Sequence, residues 1–486
     1  MSGFDLSAIL SNPEYVEMLL HGIEMTFVIY IGSWLLAMTL ALVFLGLRFS
    51  PLRFGNSIVA AYVSYHRNVP TLVQLMLWYF GIFTLMPQGW TTWLAGHNAE
   101  AIFAIIGLGL CQAAYFSEDL RSGLRSVNPG QMEAAKALGH SYISAMRFVI
   151  MPQGVRNALP PLINHSVSLF KNSSLALVIG ASELTHAVKE IENLSFRTFE
   201  IYLVGTVLYL FFSLLIMTGG AYLSMRADPA GVHAHDQRYH RDHQRLLAAA
   251  VDRPVSKRAA GRARQHTHPF GTQHRSRFSC QHPFRIGQVV EMANAALASH
   301  RSRLCHPRRT FVDLILWSYF LVPLWTGADV PSFVTMLTTL VVYQGAFLSE
   351  VVRAGIVALG HGQMEAARAL GHSYLGAMRY IILPQALYNM IPSIISTFVS
   401  TIKDTTLGYV INVPDLTFAA SQVNNQLLTQ PFQVFLILAI VYYAICWSLT
   451  HVANRLERRI ARRRAGPSSL RATPLVATSK IVSEQL

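Results

Sequence analysis

Six ionisable side chains stand in or beside apolar stretches of this 486-residue chain: Arg67, Glu118, Arg121, Lys171, Lys403 and Asp404. Gln74, Asn164, His165, Ser168 and Asn172 add polar atoms nearby. Charges in apolar surroundings are costly, and a chain that keeps them usually turns them toward a partner or a water-filled cavity. One reading is a pathway lining that meets a zwitterionic or acidic solute. The other is structural, with ion pairs within or between helices or long side chains reaching for the interface. Glu118 and Arg121, three residues apart, share one helix face and suit the pair reading. Arg67 and Lys171, deeper in apolar sequence, stay open to a pathway or gate role. Covalent chemistry is not indicated. The chain has no Gly-Lys dipeptide, hence no phosphate loop of the G-x-x-x-x-G-K-[ST] type, and no nucleophile triad. Cys111, Cys280, Cys305 and Cys446 lack the spacing of a metal site or a disulfide framework. No cofactor or metal is expected on this chain.

The elements that position these residues are apolar helices. The chain is 52% hydrophobic and 13% charged, against about 25% charged in an average soluble domain. Met25 to Leu47 runs 23 residues without a charge, enough for the ~20 that cross ~30 Å of hydrocarbon. Nine spans are expected: about 22–47, 55–86, 101–120, 157–180 and 200–225, then 311–326, 332–352, 389–412 and 431–453. The N-terminus lacks a basic region and carries Asp5, Glu14 and Glu17, so it is expected to be retained rather than removed as a signal peptide.

The spans fall into two copies of one unit. Gly130-Gln-Met-Glu-Ala-Ala-Lys-Ala-Leu-Gly-His-Ser-Tyr142 recurs as Gly362-Gln-Met-Glu-Ala-Ala-Arg-Ala-Leu-Gly-His-Ser-Tyr374, at an offset of 232. The same offset matches Glu118 to Glu350, Arg121 to Arg353, Gly123 to Gly355, Pro152 to Pro384 and Lys171 to Lys403. A period this long signals a duplicated domain rather than a solenoid. Copy one is 1–227, with five spans, and copy two is 311–460, with four. Between them, 228–310 holds 15 of the 39 Lys+Arg and 10 of the 19 His. It reads as out-of-frame or scrambled coding sequence joining two genes, or as a natural basic, disordered linker. Metal binding by its irregular histidines and nucleic-acid binding by its irregular charge are not favoured. Residues 461–486 form a tail.

Basic residues orient the spans. Arg48 and Arg53, Arg121 to Arg156, Arg226 and the cluster from Arg455 to Arg464 all fall on one side if the N-terminus is outside. That side is the cytoplasm. Both copies of the repeated segment then face it, so the repeats are parallel and unlike the inverted repeats of many secondary transporters.

The repeated segment predicts a short helix, a bend at Gly139, a second short helix and re-entry at Pro152. Glu133-Ala134-Ala135, Gly139 and Val149-Ile150-Met151-Pro152 resemble the EAA loop of ABC importer permeases. Glu365-Ala366-Ala367, Gly371 and Ile381-Ile382-Leu383-Pro384 look like its fuller form. His66 to Gln74, Lys171-Asn172-Ser173-Ser174-Leu175 and Lys403-Asp404-Thr405-Thr406-Leu407 resemble signatures of the polar amino-acid (histidine/glutamate) class.

The resemblance covers 1–227 and about 311–460. It implies an all-α inner-membrane permease of two parallel repeats, multi-pass, with its C-terminus in the cytoplasm. It makes Glu133, Ala134, Ala135, Gly139, Pro152, Glu365, Ala366, Ala367, Gly371 and Pro384 the loops that seat on a cytoplasmic ABC ATPase dimer. ATP would then be hydrolysed on that partner, and a periplasmic amino-acid-binding protein would deliver the solute. A second permease subunit is a further candidate partner. Arg67, Gln74, Lys171, Asn172, Lys403 and Asp404 become the candidate pathway lining, and glutamate- or aspartate-like solutes are favoured. An ion-gradient-driven carrier and a non-functional gene fusion are the alternatives.

Overall fold

A computed structural model describes residues 5–50, 54–227, 311–326, 330–359 and 361–464, and the regular elements among them are helices. The expectation for 228–310 lies outside the described residues, as does that for the tail beyond residue 464. Contacts divide the chain into a unit of Met1–Ala221 with His306–Leu486 and a second of Tyr222–Cys305, of which only the end of one helix is described.

In copy one, α1 spans Pro13–Phe49, α2 Gly55–Asn68, α3 Thr71–Met76, α4 Ala99–Arg125, α5 Pro129–Ala137, α6 Tyr142–Ala145, α7 Met151–Asn172, α8 Leu184–Ser195 and α9 Thr198–Ala227. In copy two, α10 spans Phe311–Thr326, α11 Ser332–Val357, α12 His361–Ala369, α13 Tyr374–Ala377, α14 Leu383–Thr405, α15 Leu416–Leu427 and α16 Pro431–Arg464. From α10 onward the order repeats that of α3 to α9.

Six helical stretches among the described residues are long and apolar enough to cross a membrane, or seven with one bent pair. That pair corrects the expectation of a single span over 55–86. Gly55–Asn68 and Thr71–Leu85 meet at 107°. Pro70 is the cause. It restricts the residue before it to extended backbone, which Val69 adopts (φ −98°, ψ 133°), and it has no N–H to donate. Two other expected spans fall short of the same standard. Among the described residues α10 has 16, and α7 carries Gln153, Arg156, Asn157, Asn164, His165 and Lys171 among its apolar residues.

The core of copy one lies where α4, the most buried of the spans, is clasped by α1 on one side and α7 on another. Trp34 of α1 packs edge-on to Phe116 of α4, with ring centroids 6.2 Å apart, and donates to Ser166 Oγ of α7 at 2.9 Å. Gly123 and Gly154 bring α4 and α7 together at the closest approach. A β-carbon on Gly123 would lie 2.8 Å from the backbone N of Ala158. The helices on either side of the α5–α6 segment are thus held backbone to backbone.

Candidate functional site

Each repeated segment is a helix–bend–helix, and the two copies agree atom for atom in how the bend is made. α5 ends on Leu138, and Gly139 takes left-handed backbone (φ 88°); in copy two Gly371 does so (φ 87°). The N–H of Gly139 donates to Lys136 O at 3.0 Å and that of His140 to Ala135 O at 3.1 Å. Gly371 to Arg368 O and His372 to Ala367 O repeat these bonds at 3.0 and 3.1 Å. This is the glycine C-cap, which satisfies the last carbonyls of a helix and is adopted most readily by a residue without a β-carbon. Ser141 then caps α6 by accepting from Ser144 N, as Ser373 caps α13 by accepting from Gly376 N. Pro152 and Pro384 lack the N–H that an α-helix would use, and the chain passes through a π turn just before each, Met146–Ile150 and Met378–Ile382.

The inner side of each bend is small and buried, with Ala135 and Ala145 in copy one and Ala367 and Ala377 in copy two. The outer side is large and apolar. Leu138 and Leu370 are 83% and 80% exposed, and Ile143, Phe148, Leu375 and Tyr380 are exposed beside them. Glu133, Ala134, Glu365 and Ala366 are exposed as well, and Pro152 and Pro384 begin the return into the bundle. An apolar surface of this kind, repeated on two loops, has the make-up of a docking face.

The second group of residues gathers where copy one meets copy two. Phe435, Leu438, Ala439 and Tyr442 form one face of α16 and pack on Val69, Leu72, Val73, Met76 and Leu77 of the bent span. Phe80 stacks on Phe435 with centroids 5.6 Å apart. The seam has a second half with the copies exchanged. On α9, Tyr202 stacks on Phe320 at 5.2 Å, Phe199 meets Trp317 edge-on, and Thr206 accepts from Trp317 Nε1 at 2.5 Å. The last span of each copy therefore grips the other copy's Leu-Trp-aromatic stretch, and each aromatic pair adds about 0.5–1.5 kcal/mol beyond burial.

Arg67 and Lys403 come together at this seam. Lys403 Nζ donates to the backbone carbonyl of Arg67 at 3.2 Å, and the exposed Arg67 guanidinium lies 5.8 Å from the centroid of the Tyr115 ring. Asp404 accepts from Gln344 Nε2 at 2.7 Å. Lys171 and Asn172 are half-buried at the C-terminal end of α7, the place in copy one that Lys403 and Asp404 occupy in copy two.

Gln74 has a different task. It is 1% exposed, and its amide donates to Val69 O at 2.8 Å and His66 O at 3.2 Å while its oxygen meets His66 Nδ1 at 2.5 Å. His66 O is the acceptor that the absent N–H of Pro70 leaves free, so Gln74 braces the bend. Glu118 sits between two cations, 2.6 Å from Arg48 Nη2 of α1 and 3.5 Å from Arg121 Nη1. The pair reading of Glu118 and Arg121 holds, with Arg48 as a third member. His165 meets Asp119 at 2.6 Å.

The sequence reading missed Tyr115, Gln344 and the seam bonds from Ser64 to Tyr443 (3.2 Å) and from Thr450 to Asn68 (3.1 Å). Those partners lie 379 and 382 residues apart, and no local pattern joins them. It also missed Glu183, buried, and Asp415, half-buried, the acceptors at the N-termini of α8 and α15. They share the 232-residue offset, each with a threonine two residues on, so that signal was present.

The model of the family described as binding-protein-dependent transport system inner membrane component matches residues 35–228 and 304–462. A probable glutamine ABC transporter permease protein of Bacillus subtilis is 38% identical over 148 residues, covering 30% of this chain and 67% of the relative. A glutamate transport system permease protein of Corynebacterium efficiens is 36% identical over 192 residues, covering 38% and 82%. A crystal structure of an amino acid ABC transporter with histidines is 28% identical, covering 45% of this chain and 98% of that one, at a TM-score of 0.40.

Proposed function

The chain belongs to the family of binding-protein-dependent transport system inner membrane components, and on that premise we propose that it carries a polar amino acid, glutamate-like in character, across the membrane under the drive of a separate ATPase. A multi-pass inner-membrane transport subunit is what the family and the helices amount to. The observation that carries the finer reading is the pair of loops 130–151 and 362–383. They share one bend, one set of caps and one set of exposed apolar side chains. A task common to both copies explains that repetition, and seating on two like ATPase subunits is such a task.

ATP-driven closure of the ATPase pair then pushes both loops together. Because Gly123 and Gly154 lock α4 to α7 beside the first loop, the push passes to the spans as a rigid movement rather than being absorbed in the loop. The seam, built twice with the copies exchanged, is where the bundles rock between outward- and inward-facing states. Arg67 and Lys403 offer positive charge there to a carboxylate, and Asp404 offers a negative one to an ammonium. Lys171 and Asn172 extend the lining into copy one. A binding protein delivers the solute from outside, and the loops and the C-terminal cluster of arginines face the cytoplasm.

The test is uptake of labelled glutamate, aspartate and glutamine by cells carrying this chain with its ATPase and binding protein. Glu133→Ala with Glu365→Ala is expected to abolish uptake while the chain still inserts and co-purifies as a membrane protein. Unchanged uptake in that double variant refutes the coupling role. Uptake that persists without the ATPase identifies an ion-driven carrier, and failure to capture the ATPase identifies a non-functional fusion.

A further inference from the structure

The helices that follow the fourth span of each copy carry a feature that transport through the seam does not use. α8 ends on Phe196 and α15 on Leu428, 232 residues apart in the sequence, and both hold left-handed backbone at φ 55° and 51°. Such backbone crowds a β-carbon against the following carbonyl, and helices that stop this way usually do so on Gly or Asn. The other left-handed positions among the described residues obey that rule: Gly139 with Gly371, Gly180 with Asn412, and Asn98. Phe196 and Leu428 break it. They are 88% and 78% exposed, so packing within the chain does not account for the side chains either.

The platform under each is firm. Glu183, fully buried, accepts from Thr185 N at 2.9 Å, His186 N at 3.0 Å and Tyr209 Oη of α9 at 2.7 Å. Asp415 accepts from Phe418 N at 2.8 Å, and Thr417 meets Tyr442 of α16 at 3.4 Å. α8 and α15 are thereby bolted to the last spans. The fourth span separates each from its loop, so both apolar side chains lie at the end of the bundle opposite the repeated loops.

We propose that Phe196 and Leu428 are twin docking knobs for the soluble binding protein on which this family's transport depends, each entering an apolar pocket of that protein. The inference rests on the transport reading for the existence of that partner. The surroundings favour a protein over the bilayer. Headgroup anchoring uses Trp, Tyr, Lys and Arg, and none of these occurs between Leu416 and Gln430; the exposed neighbours of Leu428 are Leu427, which widens the apolar knob, and the uncharged Asn425, Gln426 and Thr429. Beside Phe196 the one adjacent cation, Arg197, is engaged with Glu200 at 3.5 Å and the Asp5 carbonyl at 3.4 Å. The exposed charges at this end of copy one are mainly acidic, with Glu14, Glu17, Glu24 and Glu190 against Lys189. That fringe repels anionic headgroups and suits a basic rim on a soluble partner.

Phe196→Gly and Leu428→Gly test the inference because glycine removes the knob and also relaxes the turn. The full chain with its ATPase in lipid nanodiscs is titrated with the purified, solute-loaded binding protein, and stimulation of ATP hydrolysis is read. Each substitution is expected to raise the half-maximal concentration about tenfold, with basal hydrolysis unchanged and a melting temperature no lower than that of the parent. A lower melting temperature with an unshifted titration makes the residues structural and overturns the proposal. An unshifted titration with poor retention in the nanodisc makes them lipid anchors and overturns it too. A parent complex that ignores the binding protein sinks the transport reading and takes this inference with it.

Discussion

Adding one methyl group at Gly123 should harm the protein far more than adding it at the equivalent Gly355. A β-carbon on Gly123 would overlap the carbonyl oxygen of Gly154 and come within 2.7 Å of Ala158 Cβ and 2.8 Å of Ala158 N. Carbon atoms in comfortable contact stand about 3.5–4.0 Å apart, so α4 and α7 would have to part by roughly 1 Å. The obstacles are backbone atoms that cannot turn aside. Over-packing of this kind costs about 1–3 kcal/mol, and the upper end applies here. At Gly355 the colliding atoms are Cγ and Sδ of Met390. A methionine side chain swings away readily, so Gly355→Ala should cost under about 1 kcal/mol, the level of well-tolerated core changes. Thermal or denaturant unfolding of the two variants in the same detergent measures the difference. Because Gly123 lies beside the first loop, Gly123→Ala should also lower ATP-dependent uptake. Equal destabilisation by the two substitutions, or none by Gly123→Ala, would refute the claim that the first copy's loop is clamped by backbone contact.

Three other outcomes follow from the geometry. Gln74→Ala should destabilise by about 1–3 kcal/mol, because it strands the buried carbonyl of His66 at the Pro70 bend; a fold as stable as the parent would count against the brace. Glu118→Gln should cost up to about 3 kcal/mol by leaving Arg48 buried without its anion, at the low end for buried pairs because Glu118 is 28% exposed, and chemical denaturation reads it. Burial pushes Glu183, past the end of the fourth span, up to about 8, against the pull of the Thr185 N–H, the Tyr209 hydroxyl and the His186 N–H. The folded chain then binds a proton that the unfolded chain has released, so stability should fall as pH rises from about 4.5 to about 8. Glu183→Gln should flatten that slope in melts taken across the range, and an unchanged slope would assign it to other groups.

The duplication and the loops were legible in the sequence because their determinants are local. A fixed offset aligns the copies, and Gly139 followed by Pro152 dictates a left-handed stop and a broken hydrogen-bond ladder wherever the segment lies. The bend at Pro70 was not read. The stretch 55–86 is apolar enough for one span, and a proline within such a stretch kinks one helix as readily as it divides two. What decides is Gln74, whose side chain supplies the donor that Pro70 lacks, and that contact is visible only in three dimensions. Arg67 and Lys403 were both singled out, yet their meeting was not foreseen, since the residues lie 336 apart and belong to different copies. Gln74 entered the candidate lining because polarity in an apolar run gives no hint of which way a side chain turns. Its amide turns inward, onto the backbone.

Copy one folds α1 along α4, with Arg48 reaching across to Glu118, whereas α11 has no such companion on the same flank among the described residues, and Phe333, Val341 and Val342 stand uncovered. Where that flank faces the bilayer, acyl chains meet it directly. Membrane thickness thereby becomes a variable felt chiefly by the second half: in shorter-tailed lipid α11 is free to tilt while the braced α4 holds its angle. Two loops of one shape thus hang from spans that are braced to different degrees, and a thinner bilayer is expected to set their supports at different angles.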